Sequence, residues 1–306
     1  MSAQQPIIVV GAGLAGLIAA HAWPSATILE AQPAPRAMHR ALLRFRSNAV
    51  ANLTGIEFRK VRVHKGIWSE SRFVQPNIRV ANQYAKKVAG RLAGDRSIWS
   101  LDPVDRYVAP DTFYEQLVDA AQQRTFWGTS ADLANMRSRI INTAPLPVAL
   151  QMLGIQSELA FERAGIVVAR CRVVGADVFQ TVYFPDEETP MYRASITGST
   201  LIIEAMLGDV AAKEWLPRAL VLVERAFAAE VSRAIETVDQ KYGKIVPIAD
   251  ADRKRLLFGL TQQHNIYSLG RFATWRNILL DDVAQDIHVI KRLINSQPYD
   301  VKRSIG

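Results

Sequence analysis

Residues 7–30 limit what this chain can fold into more than any other stretch. Ile7-Ile8-Val9-Val10 reads as a buried parallel strand. It runs into Gly11-Ala12-Gly13-Leu14-Ala15-Gly16 and an alanine-rich helix from Leu14 to Ala22 that stops at Trp23-Pro24. A second apolar strand, Thr27-Ile28-Leu29, ends on the carboxylate Glu30, 19 residues after Gly11. Each part has a task in holding an adenine dinucleotide. Gly11 permits the tight turn out of the strand, Gly13 lets the backbone approach a pyrophosphate, and Gly16 lets the helix lie close on the sheet. Leu14 and Ala15 open the helix, whose unpaired N–H groups and positive dipole end face the phosphates. Glu30 stands where an acid accepts hydrogen bonds from ribose hydroxyls.

The 306 residues, 49% of them hydrophobic and with six Trp, supply enough material for a substantial core rather than a disordered chain. No apolar run reaches the ~18–20 residues of a membrane span. The dinucleotide motif begins almost at once, with no basic leader or small-residue cleavage site before it. The lone Cys171 excludes an internal disulfide and reads as a packed strand thiol. Together these predict a cytoplasmic protein.

The net charge of +8 is concentrated. Arg36, Arg40, Arg44, Arg46, Arg59, Lys60, Arg62 and Lys65 face a single acid, Glu57, in their segment, and Arg79, Lys86, Lys87, Arg91 and Arg96 follow. Such a field suits a polyanion, nucleic acid included, or a solvated face with some arginines on a cofactor pyrophosphate. Arg59, Lys60, Arg62, Lys65, Lys86 and Lys87 are the expected exposed members.

Further along, Asn48 to Trp68 looks strand-rich. Thr112 and Glu115 have capping-box spacing at the start of a helix reaching Gln123. Ile140-Ile141-Asn142 reads as a short buried strand, with a helix near Val148 to Leu153. The runs Ile166–Val174, Val178–Phe184, Tyr192–Thr197 and Leu201–Met206 predict an antiparallel meander, its last pair turning at Gly198-Ser199. Apolar spacing from Glu214 to about Asp239 predicts one long amphipathic helix, and a final helix spans about Asp281 to Asn295. The expected fold class is α/β: a discontinuous Rossmann-type nucleotide-binding domain contributed by both termini, with an inserted antiparallel-sheet substrate domain. The expected boundaries are 1–50, 136–160 and 241–306 for the nucleotide-binding layer. Residues 51–135 form a cap region, and 161–240 the sheet domain with the long helix.

The tail, a strand into Tyr267-Ser268-Leu269-Gly270-Arg271, then Trp275 and a helix opened by Asp281-Asp282, resembles the C-terminal flavin-binding segment of the FAD-dependent amine oxidase and UDP-galactopyranose mutase clan. Ile141-Asn142-Thr143-Ala144-Pro145-Leu146 is similar to the clan's strand that returns to the nucleotide-binding domain. The resemblance implies FAD as cofactor, held by Gly11, Gly13, Leu14, Ala15, Gly16, Glu30, Arg36, Gly270, Arg271, Asp281 and Asp282, with no metal. Arg271 would contact phosphate, and the last helix would point its N-terminus at the flavin pyrimidine edge. The chain departs from the clan twice. Ala31-Gln32-Pro33-Ala34-Pro35-Arg36 replaces the usual Gly-Gly-Arg of amine oxidases, and Trp275, Arg276 and Asn277 stand where mutases carry tyrosines.

The resemblance implies hydride removal from a carbon bearing an amine, with flavin N5 as acceptor and hydrolysis of the resulting imine. No lysine or acid stands out as an obligatory base. Candidate catalytic residues are His264, on the approach to the flavin strand, Tyr192 and Trp275; Tyr183, Arg193 and Trp215 are candidate pocket residues. The five histidines show no metal-ligand spacing. The basic, compact chain also looks similar to flavoproteins that tailed phages use to make hypermodified thymine. In that setting the substrate would be an amino acid such as glycine on thymine in DNA, oxidised in the host cytoplasm to leave an aminomethyl base. Two other readings stay open: a redox-neutral enzyme acting on a sugar nucleotide, and a non-catalytic FAD-binding scaffold.

Overall fold

A computed structural model describes residues 6–35, 43–208, 211–232 and 236–296. The chain opens with β1 (Ile7–Val10), α1 (Leu14–Ala22) and β2 (Thr27–Glu30), then β3 (Arg44–Phe45), α2 (Ala49–Thr54), β4 (Arg59–Ser69) and β5 (Arg72–Phe73). It continues through α3 (Ile78–Ala89), β6 (Val104–Val108), α4 (Phe113–Ala121), β7 (Thr125–Trp127), β8 (Arg139–Asn142) and α5 (Leu146–Met152). The meander is β9 (Arg163–Arg172), β10 (Val178–Tyr183), β11 (Met191–Gly198) and β12 (Thr200–Met206). The rest is α6 (Ala212–Phe227), β13 (Glu236–Ile245), α7 (Asp250–His264), β14 (Ile266–Ser268) and α8 (Leu280–Ser296).

Two sheets result. The first is parallel, in the order β14-β8-β1-β2-β7. Its inner strands are buried on both sides because alternate residues feed two cores, while Phe126 of the edge strand β7 is exposed. Val9, Ile28, Ile141 and Tyr267 join Leu17, Phe113, Leu117 and Ile287 of α1, α4 and α8. Val10, Ile140 and Ile266 join Leu146 and Leu150 of α5 and Leu260 of α7. The second sheet runs β13-β9-β12-β11-β10-β4-β6-β3, with β5 beside β4. It is antiparallel except for the parallel pair β10–β4. Helix α6 packs Trp215, Leu216, Ala219 and Val223 on one face of it. Across the other face lie Val80, Tyr84 and Val88 of α3. This is the expected α/β class, a parallel layer joined to a mostly antiparallel sheet, but β7 (Thr125–Trp127) adds to the parallel layer a strand from the stretch 51–135 expected as a cap.

Three local expectations are corrected. Residues 214–239 are not one helix: α6 closes at Ala228 in a left-handed conformation (φ 49°), and Glu236 begins β13. Glu236 to Asp239 alternates half-buried and exposed side chains along the open edge of β9, which takes it as a ladder partner. Between Asn48 and Trp68, residues Ala49–Thr54 form a helical turn-and-a-half ended by Gly55 at φ 74°, and only β4 is strand. Thr112 does precede α4, but its hydroxyl caps no backbone N–H; it accepts from Gln116 Nε2 at 2.9 Å instead.

Candidate functional site

The carboxyl ends of β1, β2, β8 and β14 converge, where ligands of open parallel sheets bind. Gly11 turns out of β1 at φ +97°, and a Cβ there would stand 2.5 Å from Thr143 Oγ1. That hydroxyl donates to Val10 O at 2.7 Å and ties the turn to the loop after β8. Gly16 admits no side chain, since a Cβ would lie 1.9 Å from Gly11 O. Gly13 differs from both. It is the N-cap of α1 in ordinary extended backbone (φ −71°, ψ 176°), no side chain caps the helix, and a Cβ would meet nothing within 4 Å. The first N–H groups of α1 therefore open onto free space at the positive end of the dipole. Such a cradle fits the pyrophosphate of a dinucleotide.

Glu30 ends β2 with its Oε2 accepting the Ala12 N–H at 2.6 Å and Oε1 accepting the Gln32 N–H at 2.8 Å. A carboxylate has acceptor capacity beyond these two bonds for ribose hydroxyls. Glu30→Ala will leave the Ala12 N–H without its partner and weaken flavin binding by about 1–3 kcal/mol, measured by titrating flavin back into stripped protein.

The two ends of the chain meet at this loop. Gly270, at φ +91°, comes so close to α1 that a Cβ would sit 3.0 Å from that of Ala15. Arg271, next in sequence, is held by its Nε on Ile278 O (2.9 Å) and its Nη1 on Gly243 O (3.4 Å). Asp281 and Asp282 occupy the first turn of α8, where the dipole favours acids. Asp281 accepts the N–H groups of Arg46 (2.8 Å) and Ser47 (3.0 Å), and Asp282 accepts Arg46 Nη2 (2.7 Å) and the Leu279 N–H (2.8 Å). They fasten the loop after β3 to α8, and Asp281 also borders the cavity.

That cavity, of about 1460 Å³, runs from the glycine loop to the face of the second sheet. It exceeds the ~300–1,000 Å³ typical of a small-ligand site. Gly11, Gly13, Leu14, Ala15, Glu30, Gly270 and Arg271 line one part, and Arg44, Tyr84, Tyr183, Tyr192, Arg193, Glu204 and Lys244 another. The second group forms a polar network among apolar neighbours. Glu204, 3% exposed, accepts Arg193 through Nε and, at 2.7 Å, through Nη2, and it accepts the Tyr192 hydroxyl at 3.1 Å. Burial pushes the Glu204 carboxyl up, but the Arg193 charge and its hydrogen bonds outweigh that and hold it below the usual range. Burial raises the Tyr192 phenol well above its ordinary value, with the Glu204 charge adding to it. Arg44, reaching in from β3, bonds Thr181 Oγ1 (2.9 Å), Thr197 Oγ1 and the carbonyls of Gln180 and Ile196. Burial and the neighbouring Arg193 lower its pKa, and the guanidinium keeps its charge at neutral pH.

Of the catalytic candidates, Tyr192 lines the cavity and two do not. Trp275 is 1% exposed, edge-on to Phe161, with its indole N–H on Val246 O at 3.0 Å; it is a core residue beneath the site. His264 closes α7 outside the cavity lining. Trp215 belongs to the core under α6. Arg36 lies outside the described residues. Lys244, Glu204, Arg44 and Thr143 were missed as site residues in the sequence, since each is brought in by a different element.

Arg59, Lys60, Arg62 and Lys86 are exposed as expected, whereas Lys65 and Lys87 are not, so the basic segment is only in part a solvated face. Arg44 is internal, and Lys87 donates to the carbonyls of Phe184 (2.8 Å) and Asp186 (2.6 Å), with burial bringing its ammonium down to about 8. Arg59 faces Asp177, Lys60 and Arg62 share Asp105, and Lys86 faces Glu187. Lys65 lines the cavity. Among the described residues no cluster of His, Cys, Asp and Glu could hold a metal, and no helix is long and apolar enough to cross a membrane.

This geometry is that of the FAD-binding flavoenzyme fold, which solved structures bear out. A reduced UDP-galactopyranose mutase superposes with a TM-score of 0.72 at 13% identity, covering 95% of this chain and 96% of that one. A redesigned putrescine oxidase gives 0.57 at 10% identity over 96% and 99%, and an L-proline dehydrogenase from P. horikoshii 0.56 at 12% over 95% and 94%. No protein-family model and no curated protein sequence matches the chain.

Proposed function

We propose that the chain is an FAD-dependent oxidoreductase that takes a hydride from the carbon of a C–N bond, in an amine or the amino group of an amino acid. The observation behind this reading is the one cavity that joins a dinucleotide cradle to a buried, tyrosine-walled polar chamber on the second sheet. The flavin, when bound, supplies the hydride acceptor. The protein's own residues do the rest. Gly11, Gly13, Leu14, Ala15 and Glu30 hold the ADP half, with Gly16 keeping α1 close to the turn, and Gly270, Arg271 and Asp281 at the start of α8 serve the flavin half, with Asp282 fixing that helix start through Arg46. Tyr84, Tyr183 and Tyr192 wall off water and orient the substrate carbon. The imine that forms is hydrolysed by water, releasing carbonyl and amine. A finer version has the amino acid attached to thymine in phage DNA. Trp99, 56% exposed, lines the cavity as do Lys65 and Arg96, and an exposed aromatic beside cations can stack a base near phosphates.

A redox-neutral reaction on a sugar nucleotide is the second reading, favoured by the mutase's higher TM-score of 0.72. Anaerobic addition of candidate substrates to the flavin-loaded protein separates the two. Bleaching of the oxidised flavin by amino acids, amines or aminoacyl-thymine DNA is the expected result. Turnover of a sugar nucleotide only after prior flavin reduction would establish the mutase instead, and a flavin that no candidate perturbs would point to a scaffold.

A further inference from the structure

Among the described residues, Lys244 is the most conspicuous charged group without a hydrogen-bond partner. Its Nζ is buried and has no hydrogen-bond partner, and it hangs 3.8 Å from the centroid of the Tyr192 ring. An ammonium has three donors to satisfy, and a buried charge is costly unless paired. The neighbouring acid is already taken, because Glu204 is engaged by Arg193 on two of its nitrogens and by the Tyr192 hydroxyl.

The backbone delivers this side chain deliberately. β13 pairs with β9 through Gln240↔Ile166 and Lys244↔Ala164, so residues 241–243 bulge opposite Gly165 alone. Gly243 presses onto Ile166, where a Cβ would fall 2.6 Å from a side-chain carbon. Bulges of this kind re-aim a side chain beside functional sites.

The groups facing Lys244 are Glu204 from β12, Tyr192 and Arg193 from β11, Arg96 from the loop after α3, and Arg271 from the turn after β14. Among the charges acting on Lys244, Glu204 is the carboxylate, set against the guanidiniums of Arg193, Arg96 and Arg271. The hydrogen bonds of Arg271 go to the carbonyls of Ile278 and Gly243, which bring no negative charge. Burial brings the Lys244 ammonium down to about 7, with Arg193, Arg96 and Arg271 pushing the same way and Glu204 opposing them.

We propose that this chamber is the receptor for a carboxylate on the substrate, with Lys244 its direct hydrogen-bond donor. The assignment rests on the C–N oxidation reading and names its substrate class as amino acids or N-linked amino-acid groups rather than simple amines. A carboxylate supplies the acceptor that the Lys244 ammonium lacks, together with a negative charge beside it. Its arrival favours the charged form of Lys244, so binding takes up a proton when the pH is above about 7.

The test titrates the flavin-loaded protein with benzoate, benzylamine and inorganic phosphate, following the visible flavin spectrum and, in parallel, calorimetric heat. Benzoate is expected to bind saturably, its Kd rising toward about tenfold per pH unit above the Lys244 pKa. Lys244→Met should weaken benzoate by about 10- to 100-fold, the scale of one charge-assisted hydrogen bond, and flatten the pH profile. Lys244→Arg should restore affinity while leaving it pH-independent, which a merely misfolded variant cannot do. Benzoate binding that is absent, or identical in Lys244→Met, overturns the assignment. So does tighter binding of benzylamine, or phosphate that displaces benzoate in a Lys244-dependent way. A protein that carries no flavin sinks the oxidoreductase reading instead, and the calorimetric benzoate titration still decides the role of Lys244.

Discussion

Gly13→Val and Gly16→Ala will separate cofactor binding from folding, although the two glycines lie in the same loop. At Gly13 the backbone is extended with negative φ, and a Cβ meets no protein atom within 4 Å. The valine variant should fold as well as the parent, because reducing the freedom of the unfolded chain tends to stabilise. Its side chain fills the cradle in front of the α1 N–H groups, so the purified protein should be colourless. Gly16→Ala places a methyl 1.9 Å from Gly11 O, a backbone atom that cannot rotate away. The helix must lift off β1, at a cost of about 1–3 kcal/mol or more. That variant should lose flavin and also unfold at lower urea. A Gly13→Val protein that stays yellow would refute the placement of the pyrophosphate. A Gly16→Ala protein with unchanged stability would refute the close helix–strand contact.

What could be read in the sequence follows from how local the determinants are. The strand–glycine–helix–strand unit of residues 7–30 is contiguous, so its turn, helix and carboxylate are all encoded within one βαβ segment. The meander of β9 to β12 was legible for the same reason, because alternation and a tight turn at Gly198 are short-range signals. β13 was not, because Glu236–Ile245 becomes a strand by pairing with β9, some seventy residues earlier in the chain. The chamber failed to show for a stronger version of that reason. Arg193 and Glu204 do face each other across the Gly198-Ser199 turn, but Arg44, Tyr84 and Lys244 come from β3, α3 and β13, and no spacing along the chain ties those three to the pair. Trp275 misled in the opposite direction. Its place just after Gly270-Arg271 suggested contact with a ligand, but its left-handed backbone (φ 48°) accompanies an indole packed inward onto Phe161.

Glu204→Ala is expected to cause the largest stability loss of any single side-chain truncation in the chamber. It leaves the Arg193 guanidinium without its carboxylate and the Tyr192 hydroxyl without its acceptor. Breaking a buried pair from one side costs about 3–5 kcal/mol. Arg193 is 35% exposed, toward the cavity it lines, so water can partly compensate and the lower end of that range applies. Glu204→Gln keeps the volume and one acceptor, and should recover part of the loss. The sign of the pH dependence follows from the direction of the shift. Because the folded-state carboxyl is held below its usual range, its contribution is present above the unfolded carboxylate pKa of ~4.3. It fades as the pH falls through the lower folded value. Measured from neutral pH to pH ~3, the urea stabilities of the parent and Glu204→Gln should therefore draw together below the unfolded value. Two curves that stay parallel down to that pH would show that Glu204 is not held ionised by Arg193, and the charge balance assigned to the chamber would have to be redrawn.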